Sequence, residues 1–281
     1  MFWDIIGKFV EVFIDDLAVH SKPEEDHEAH VQEVLIRLAR SGLMIALKKC
    51  KFFQSSVLYL GHIISSSGIQ PDPSNVAVIK SWKKLDNRKQ VKSFLGAVSY
   101  YRRFIERFSE RCIHLRALIT AKSSWTWDKE QKEEFEDLKK ALTSYPILRY
   151  FDPMLETRLK TDSSQHTVGS VLAQCVEGIE HVVAYASQSF TPQELRWAIP
   201  HKECYAIVWA IKKFTKYLDG HHFGVYTDHH SSCSLFKIRD PHGKLAHWAI
   251  TLITLQEYDF HIIFKTGSCN ADADCLSQLP T

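Results

Sequence analysis

Two apolar, strand-like segments of this 281-residue chain end in the same dipeptide, Thr-Asp. One runs from Leu159 to Asp162 and the other from Val225 to Asp228, and a helix-like segment from about Pro192 to Leu218 lies between them. The first is one of three successive short strand-like segments, TRLKTDSS, TVGSVLAQ and HVVAYAS. Three strands followed by a helix and a further strand predict an α/β domain that begins near residues 146–153.

The segments after the second Thr-Asp continue this alternation. We predict a helix from about Gly243 to Leu255, then the strand YDFHIIFK, and a short closing helix at NADADCLSQ. The predicted sheet therefore has five strands.

Carboxylates are predicted to converge at one end of this sheet. If the two strands that end in Thr-Asp lie side by side, Asp162 and Asp228 emerge near the same edge. Glu203 lies in the long helix where it can face them, and Asp272 and Asp274 follow the last strand. Clustered carboxylates repel one another unless cations are bound, and a pair of Mg²⁺ ions is what phosphodiester hydrolysis uses. For any single one of these acids, a helix cap or a surface charge is the alternative.

The N-terminal half begins with a predicted hairpin, KFVEVFIDDLAVHS, whose tip carries Asp15 and Asp16. Two adjacent aspartates at a tip are either an ordinary polar turn or a metal-binding turn. A helix from about Glu24 to Ser41 and a second hairpin around YLGHIIS follow. A helix that opens at Asp72 and two or three more helices reach about Ser144.

Charge is unevenly distributed along the chain, although the formal net charge is only +2. Residues 80–116 contain eleven Lys and Arg against three Asp and Glu, a balance of +8, so the remainder carries about −6. Six aromatic residues are interleaved with these cations: Trp82, Phe94, Tyr100, Tyr101, Phe104 and Phe108. The mixture suits a nucleic-acid backbone, and amphipathic helices with buried rings and solvated cations are the alternative.

Composition excludes several classes of protein. A chain with 45% hydrophobic and 24% charged residues is neither disordered nor collagen-like. The seven cysteines are widely spaced without a C-x-x-C pair, so neither a disulfide framework nor a zinc ribbon is predicted. Charged residues interrupt the apolar N-terminus and every other apolar stretch, and we therefore expect a soluble intracellular protein in the cytoplasm with access to the nucleus.

Several motifs together resemble the pol polyprotein of gypsy-type LTR retrotransposons, in its reverse transcriptase and RNase H domains. They are, in chain order, FIDDLAVHS, YLGHIIS, FLGAVSYYRRFIERFSE, LKTDSSQHTVGSVLAQ and NADADCLSQ. The resemblance implies an α/β fold class, in which an α+β part of the polymerase palm and a helical thumb and connection precede an RNase H-like mixed five-stranded sheet with helices. It implies domains at residues 1–80, 81–150 and 151–281.

The same resemblance implies site residues and cofactors. Asp15 and Asp16 match the second polymerase carboxylate motif. Asp162, Glu203, Asp228 and Asp274 match the RNase H ligands of two Mg²⁺ ions, which Mn²⁺ can replace, and Asp274 fits the family pattern better than Asp272. Residues expected to contact nucleic acid are Gly61, His62, Lys80, Lys83, Lys84, Arg88, Lys89, Lys92, Tyr100, Tyr101, Arg102, Arg103 and Arg107.

The implied activity is Mg²⁺-dependent endonucleolytic cleavage of the RNA strand of RNA–DNA hybrids by the C-terminal domain. The implied partners are a hybrid or a template–primer duplex. Separately, an open apolar edge at Phe9 to Val19 is expected to favour self-association through the palm part. The alternative is a catalytically silent nucleic-acid-binding remnant of a decayed element. Only 14 residues precede Asp15, and the palm aspartate of an earlier strand is not among them, so we expect no polymerase activity from these 281 residues.

The sequence also departs from the family pattern within the RNase H part. Ser163 stands where the family has alanine, and the triplet Ile-Thr-Leu is duplicated before LQEYDF. Three extra residues rotate the rest of a helix by about −60° unless a bulge absorbs them. His229, next to Asp228, is a further residue expected near the substrate.

Overall fold

The computed structural model describes residues 1–22, 25–120, 125–228, 255 and 257–264. The chain divides into two compact units, Met1–Ser66 and Ser67–Thr281, which we describe separately. The predicted helix from about Gly243 to Leu255 falls almost entirely outside the described residues. The predicted closing helix at NADADCLSQ falls wholly outside them, as do Asp272, Asp274 and His229.

The first unit begins with the predicted hairpin. Strands β1 (Val10–Phe13) and β2 (Asp16–Val19) pair antiparallel, with Phe13 opposite Asp16. The two-residue turn has Ile14 at φ +52°, in the left-handed region. Asp15 lies in this turn and Asp16 begins β2, so both aspartates lie at the tip, as predicted.

Helix α1 (His27–Arg40) covers this hairpin within the first unit. Asp26 caps its first turn by accepting a hydrogen bond from the Ala29 N–H, which explains why the helix begins after the predicted Glu24. Val34 and Leu38 on its inner face pack against a small core of Phe2, Ile5 and Val10. Strands β3 (Ser56–Tyr59) and β4 (His62–Ser65) form the second predicted hairpin, joined by a turn at Leu60 and Gly61.

The second unit opens with a short strand and a helical segment, residues 73–141. Side chains of Asp72, Asn87 and Asp128 cap three of its helices, so the sequence itself sets where each begins. The elements are β5 (Gly68–Pro71), α2 (Pro73–Ser81), α3 (Arg88–Tyr100), α4 (Ile113–Leu118) and α5 (Lys129–Ala141).

A five-stranded mixed sheet follows in the second unit. Its first three strands are consecutive and antiparallel: β6 (Glu156–Ser163), β7 (Thr167–Val176) and β8 (Ile179–Ser189). Strands β9 (Phe223–Thr227) and β10 (Phe260–Phe264) join in parallel, which gives the order β10-β9-β6-β7-β8. The predicted five-stranded α/β sheet is therefore confirmed.

The sheet is covered on both faces. The helical segment forms one core, which includes Phe94, Phe108 and Leu138 and reaches the sheet at Val171 and Val182. The other core joins the opposite face to helix α6 (Ile199–Lys213). Alternate residues of β6 therefore face different layers, because successive side chains of a strand point to opposite faces.

The long helix is shorter than predicted. It was expected from about Pro192 to Leu218, but α6 begins at Ile199 and a separate short helix, α7 (Thr215–Leu218), follows it. Pro200 explains the start, because proline lacks a backbone N–H and is accommodated in the first turn of a helix. None of the helices in the described part of the chain has the length and apolar character that crossing a bilayer requires.

Candidate active site

Two parallel strands bring Asp162 and Asp228 to the same edge of the sheet. In the pairing of β6 with β9, Lys160 lies opposite Tyr226. Asp162 and Asp228 each come two residues later, at the carboxyl ends of their strands. The condition set from the sequence, that the two Thr-Asp strands lie side by side, is therefore met.

Glu203 reaches this edge from the other layer. It lies in the second turn of α6 and is only 4% exposed. Burial raises the pKa of Glu203 to about 7, and the negative charges of Asp162 and Asp228 push it in the same direction. Three carboxylates from β6, α6 and the end of β9 thus share one electrostatic environment.

Ser163 orients the Glu203 carboxylate. Its hydroxyl donates a hydrogen bond to Glu203 Oε1 at 2.5 Å, and this bond partly offsets the rise in the pKa of Glu203. Ser163 follows Asp162 directly, so its side chain points to the α6 face while that of Asp162 points to the other. The serine that departs from the family pattern is therefore a partner of a predicted site residue.

The donor set of this edge fits a hard divalent cation. Mg²⁺ binds through carboxylate oxygens and keeps several waters, and all three acids offer only oxygen. Oε2 of Glu203 is buried and finds no hydrogen-bond donor among the described residues. Within the same residues, no three His, Cys, Asp or Glu side chains are grouped so that they could hold a metal ion. The three acids therefore offer the ligand atoms that Mg²⁺ prefers, but their side chains are not arranged around a common metal position.

A cleft opens beside these acids within the second unit. Its volume is about 210 Å³, and Asp162, Asp228, Lys160 and Arg107 are among its lining residues. Arg107 comes from the helical segment and donates a hydrogen bond through Nη2 to Asp162 Oδ2. Lys160 Nζ lies 2.5 Å from Glu180 Oε1 on the same face. Two basic side chains, Arg107 of the helical segment and Lys160 of β6, therefore lie beside the carboxylates in this cleft.

The other predicted carboxylates, Asp272, Asp274, Asp15 and Asp16, remain predictions as metal ligands. Asp272 and Asp274 lie outside the described residues, so the fourth metal ligand stays a prediction. Asp15 and Asp16 lie in the first unit, where both are exposed to solvent. Nothing in their surroundings distinguishes them from a polar turn.

Most predicted nucleic-acid contacts from the helical segment are at the surface. Tyr100 is 53% exposed, and five lysines are exposed: Lys80, Lys83, Lys84, Lys89 and Lys92. Arg88 and Arg103 are half-buried, and the Arg103 guanidinium lies over the Phe104 ring. The cations of α2, α3 and the loop between them therefore remain accessible to phosphates.

Two of the predicted contacts, Tyr101 and Arg102, have side chains that are engaged within the protein. Tyr101 is 2% exposed, and its hydroxyl accepts a hydrogen bond from Asn75 Nδ2 at 3.0 Å, so its ring belongs to the core. Arg102 donates through Nη2 to the Ser187 carbonyl, and burial lowers its pKa. The interleaved rings of Phe94, Phe104 and Phe108 are buried as well, so most aromatics of the basic block pack in the interior.

Gly61 and His62, the remaining predicted contacts, lie in the first unit. Gly61 has φ +66° in the turn between β3 and β4, which favours glycine. His62 Nδ1 lies 2.6 Å from the Leu60 carbonyl across the same turn. Both residues therefore belong to a hairpin turn, and their contact with nucleic acid stays a prediction.

Two residues at the carboxylate edge were not assigned to it from the sequence. Ser163 was noted only as a departure, and Arg107 was assigned to nucleic-acid binding. No sequence signal links Arg107 to Asp162, since 55 residues separate them. The hydroxyl next to Asp162 was the one available signal for Ser163.

Family models match both ends of the chain. The model for the reverse transcriptase (RNA-dependent DNA polymerase) matches residues 2–64. The model for the RNase H-like domain found in reverse transcriptase matches residues 152–258, the region that holds Asp162, Glu203 and Asp228. The fold and its carboxylate edge therefore define a reverse transcriptase fragment with an RNase H-like domain.

Curated full-length relatives show in which kind of polyprotein these two domains occur together. The transposon Tf2-3 and Tf2-7 polyproteins of Schizosaccharomyces pombe are each 34% identical over 275 residues, 96% of this chain and 20% of the relative. The chain thus spans about a fifth of the curated relatives that it matches. Over this shared part, the relatives and the two family models confirm the predicted resemblance to the polyproteins of gypsy-type LTR retrotransposons.

Solved structures agree in fold. A foamy viral protease–reverse transcriptase in complex with double-stranded DNA has a TM-score of 0.77 at 23% identity, over 97% of this chain and 46% of that one. The foamy viral enzyme in complex with an RNA/DNA hybrid has a TM-score of 0.75 at 23% identity, over 90% of this chain and 35% of that one. These matches confirm the predicted α/β fold class.

Proposed function

We propose that the RNase H-like domain of this chain cleaves the RNA strand of RNA–DNA hybrids with Mg²⁺. The observation that carries the proposal is the convergence of Asp162, Glu203 and Asp228 at one sheet edge, with a buried Glu203 oxygen for which the described residues provide no hydrogen-bond donor. A buried carboxylate is stable only when it is neutralised or paired, and a divalent cation is the partner that an all-oxygen site selects.

Each residue has a role in this proposal. Asp162, Glu203 and Asp228 hold the cations, and Asp274 is the fourth ligand by family pattern. Ser163 holds Glu203 in place through Oε1 and leaves Oε2 for a cation. Bound Mg²⁺ ions supply Lewis-acid activation of a water and stabilise the leaving 3′ oxygen.

The substrate class follows from charge and from the relatives. The exposed lysines between Lys80 and Lys92 offer phosphate contacts that position a duplex without reading its sequence. A structural relative is known in complex with an RNA/DNA hybrid. An RNA–DNA hybrid held along this surface is therefore the substrate that we propose.

The test uses the whole chain with three labelled duplexes of one sequence: RNA–DNA hybrid, double-stranded DNA and double-stranded RNA. We expect Mg²⁺-dependent cleavage of the RNA strand in the hybrid alone. Asp162→Asn, which keeps the shape of the side chain and removes its charge, should abolish that cleavage. Ser81→Ala, on the exposed side of α2, should leave it unchanged.

Two results would contradict the proposal. If the hybrid stays intact but binds with strong salt dependence, the chain is the catalytically silent binder considered from the sequence. If cleavage persists in Asp162→Asn, it comes from another site or from a contaminant.

A further inference from the structure

Arg107 is an unusual residue for the place that it occupies. It lies in the loop between α3 and α4 with φ +50°, in the left-handed region that glycine or asparagine adopts far more readily. Strain of this kind persists where the surrounding structure imposes it, and it concentrates at functional sites. The guanidinium of this strained residue contacts Asp162.

The loop is fixed to the sheet on both sides of Arg107. Arg102 donates to the Ser187 carbonyl, and the Ser109 N–H donates to the Ser187 hydroxyl at 2.8 Å. Phe108, next to Arg107, is 1% exposed in the core of the helical segment. These anchors hold the Arg107 backbone beside the end of β6, so its contact with Asp162 is built into the fold.

The sheet leaves room for the Arg107 stem. Gly169 of β7 lies opposite Asp162 in the antiparallel pairing. A Cβ atom at Gly169 would lie 3.9 Å from Arg107 Cγ, so any longer side chain there would compete for the space of the arginine. The arginine therefore crosses the sheet surface unobstructed to reach the carboxylate.

Asp162 is also the residue that the proposed function assigns to a metal ion. A guanidinium bonded to Asp162 Oδ2 repels a divalent cation at the same carboxylate and prevents that cation from using both oxygens, so the two compete for Asp162. Arg107 has a second acidic neighbour, since its Nη1 lies 3.7 Å from Glu110 Oε2. Both Arg107 and Asp162 are partly exposed, at 52% and 38%, so their ion pair is weak enough to be exchanged.

We propose that Arg107 competes with a divalent cation for Asp162 and, once displaced toward Glu110, binds a phosphate of the nucleic acid. This inference rests on the proposed function, because it takes Asp162 as a metal ligand. Arginine suits both roles, since its planar guanidinium pairs with carboxylate and phosphate oxygens alike. Arg107 thus restrains metal binding in the free protein and favours it when a phosphate is present.

The first test is a calorimetric titration of the whole chain with Mg²⁺ in the absence of nucleic acid. Arg107→Gly fits the backbone conformation, and Arg107→Gln removes the charge while keeping most of the side chain, so it decides the result if the glycine variant is unstable. We expect both to bind Mg²⁺ about two- to fivefold more tightly than the parent, the range for loss of an exposed ion pair.

Lys160→Gln is the matched control for a general effect of charge. It removes one positive charge from the same cleft, where Lys160 pairs with Glu180 and not with Asp162. Glu180 keeps a second partner in this variant, because Arg158 Nη1 lies 3.6 Å from its Oε2, so the Mg²⁺ affinity should change by less than about 1.5-fold.

The second test measures hybrid binding by fluorescence anisotropy, with Ca²⁺ in place of Mg²⁺ to prevent cleavage. Here the Arg107 variants should bind about threefold or more weakly, because a charge-assisted phosphate contact is lost. Tighter metal binding together with weaker hybrid binding is a combination that a purely structural role would not produce.

The outcomes separate the two proposals. If Asp162→Asn loses Mg²⁺ binding while the Arg107 variants bind it like the parent, or hybrid binding stays unchanged, the role of Arg107 is wrong and the metal site stands. If the parent chain binds no Mg²⁺, both proposals fail.

Discussion

Two pairs of aspartates in this molecule lie at the ends of β-strands, but their surroundings differ. Asp15 and Asp16 lie at the tip of a β-hairpin, and Asp162 and Asp228 lie at the ends of two parallel strands. The hairpin pair is exposed to water. The other pair lies close enough to a buried glutamate, Glu203, to help raise its pKa to about 7.

The difference shows what turns strand-end acids into a site. A hairpin brings together residues that are close in sequence, and solvent screens their charges. The parallel pairing of β6 with β9 joins residues that are far apart in sequence, and α6 adds a carboxylate from which water is excluded. Burial makes the repulsion costly, and a cation can remove that cost.

The largest expected effect comes from removing one acid of the buried group. Asp228→Asn should lower the rate of Mg²⁺-dependent hybrid cleavage at least about a hundredfold, because charge stabilisation by a metal contributes several kcal/mol to such reactions. Single-turnover cleavage by the whole chain measures it. Asp16→Asn is the paired variant from the hairpin tip, and its cleavage rate should stay within about twofold of the parent. Equal losses of rate in both variants would contradict the distinction between the hairpin tip and the carboxylate edge.

A second prediction concerns stability without metal. The folded-state pKa of Glu203 is about 7, above its usual 4.5, so the stability that this group contributes is complete below pH 4.5 and lost as the pH rises to 7. Glu203→Gln should therefore be more stable than the parent by about 3 kcal/mol at pH 8 in EDTA, and nearly equal at about pH 4. Denaturant unfolding at both pH values measures this. The same gain in stability at both would contradict the raised pKa of Glu203.

A third, smaller effect is expected at Ser163. Ser163→Ala removes the hydrogen bond that lowers the pKa of Glu203, so that pKa should rise further. Because cations bind the ionised carboxylate, the acidic limb of the cleavage pH profile should move to higher pH, with a loss of about three- to tenfold at pH 7. Ser81→Ala is the control, and a uniform loss at every pH would point to misfolding instead.

The smallest effect is expected for the hairpin tip. Asp15→Asn and Asp16→Asn should each change the free energy of unfolding by less than about 0.5 kcal/mol, as exposed substitutions do. Denaturant midpoints at low and high salt measure this. A loss of more than about 2 kcal/mol would mean that the tip is as constrained as the buried group.

The local sequence pattern predicted much of this fold and the two aspartates of the carboxylate edge. The hairpins, the helix that opens at Asp72 and the two Thr-Asp strands depend on neighbouring residues, so local pattern is enough to predict them. It also predicted the juxtaposition of Asp162 and Asp228, because parallel strands align their carboxyl ends. The predicted start of α6 at about Pro192 was wrong, although Pro200 indicates the observed start at Ile199.

Contacts between layers could not be predicted. Arg107 meets Asp162 only because Arg102 and Ser109 fix its loop to the end of β8, and no spacing in the sequence encodes that. Likewise, Tyr100 and Tyr101 are adjacent tyrosines in the same basic segment. Tyr101 is buried and accepts a hydrogen bond from Asn75, whereas Tyr100 is exposed. Which side of a helix meets the interior, and which loop meets a sheet, depends on tertiary packing.

The central claim is that the acids of the five-stranded sheet, and not those of the hairpin tip, bind the cation. Thermal unfolding of the whole chain with increasing Mg²⁺ tests it directly, since a ligand that binds only the folded state raises its stability by RT ln(1 + [L]/Kd). We predict that Mg²⁺ raises the midpoint of the parent and of Asp16→Asn equally and leaves that of Asp162→Asn unchanged. An equal rise in Asp162→Asn, or a loss of the rise in Asp16→Asn, would contradict the account.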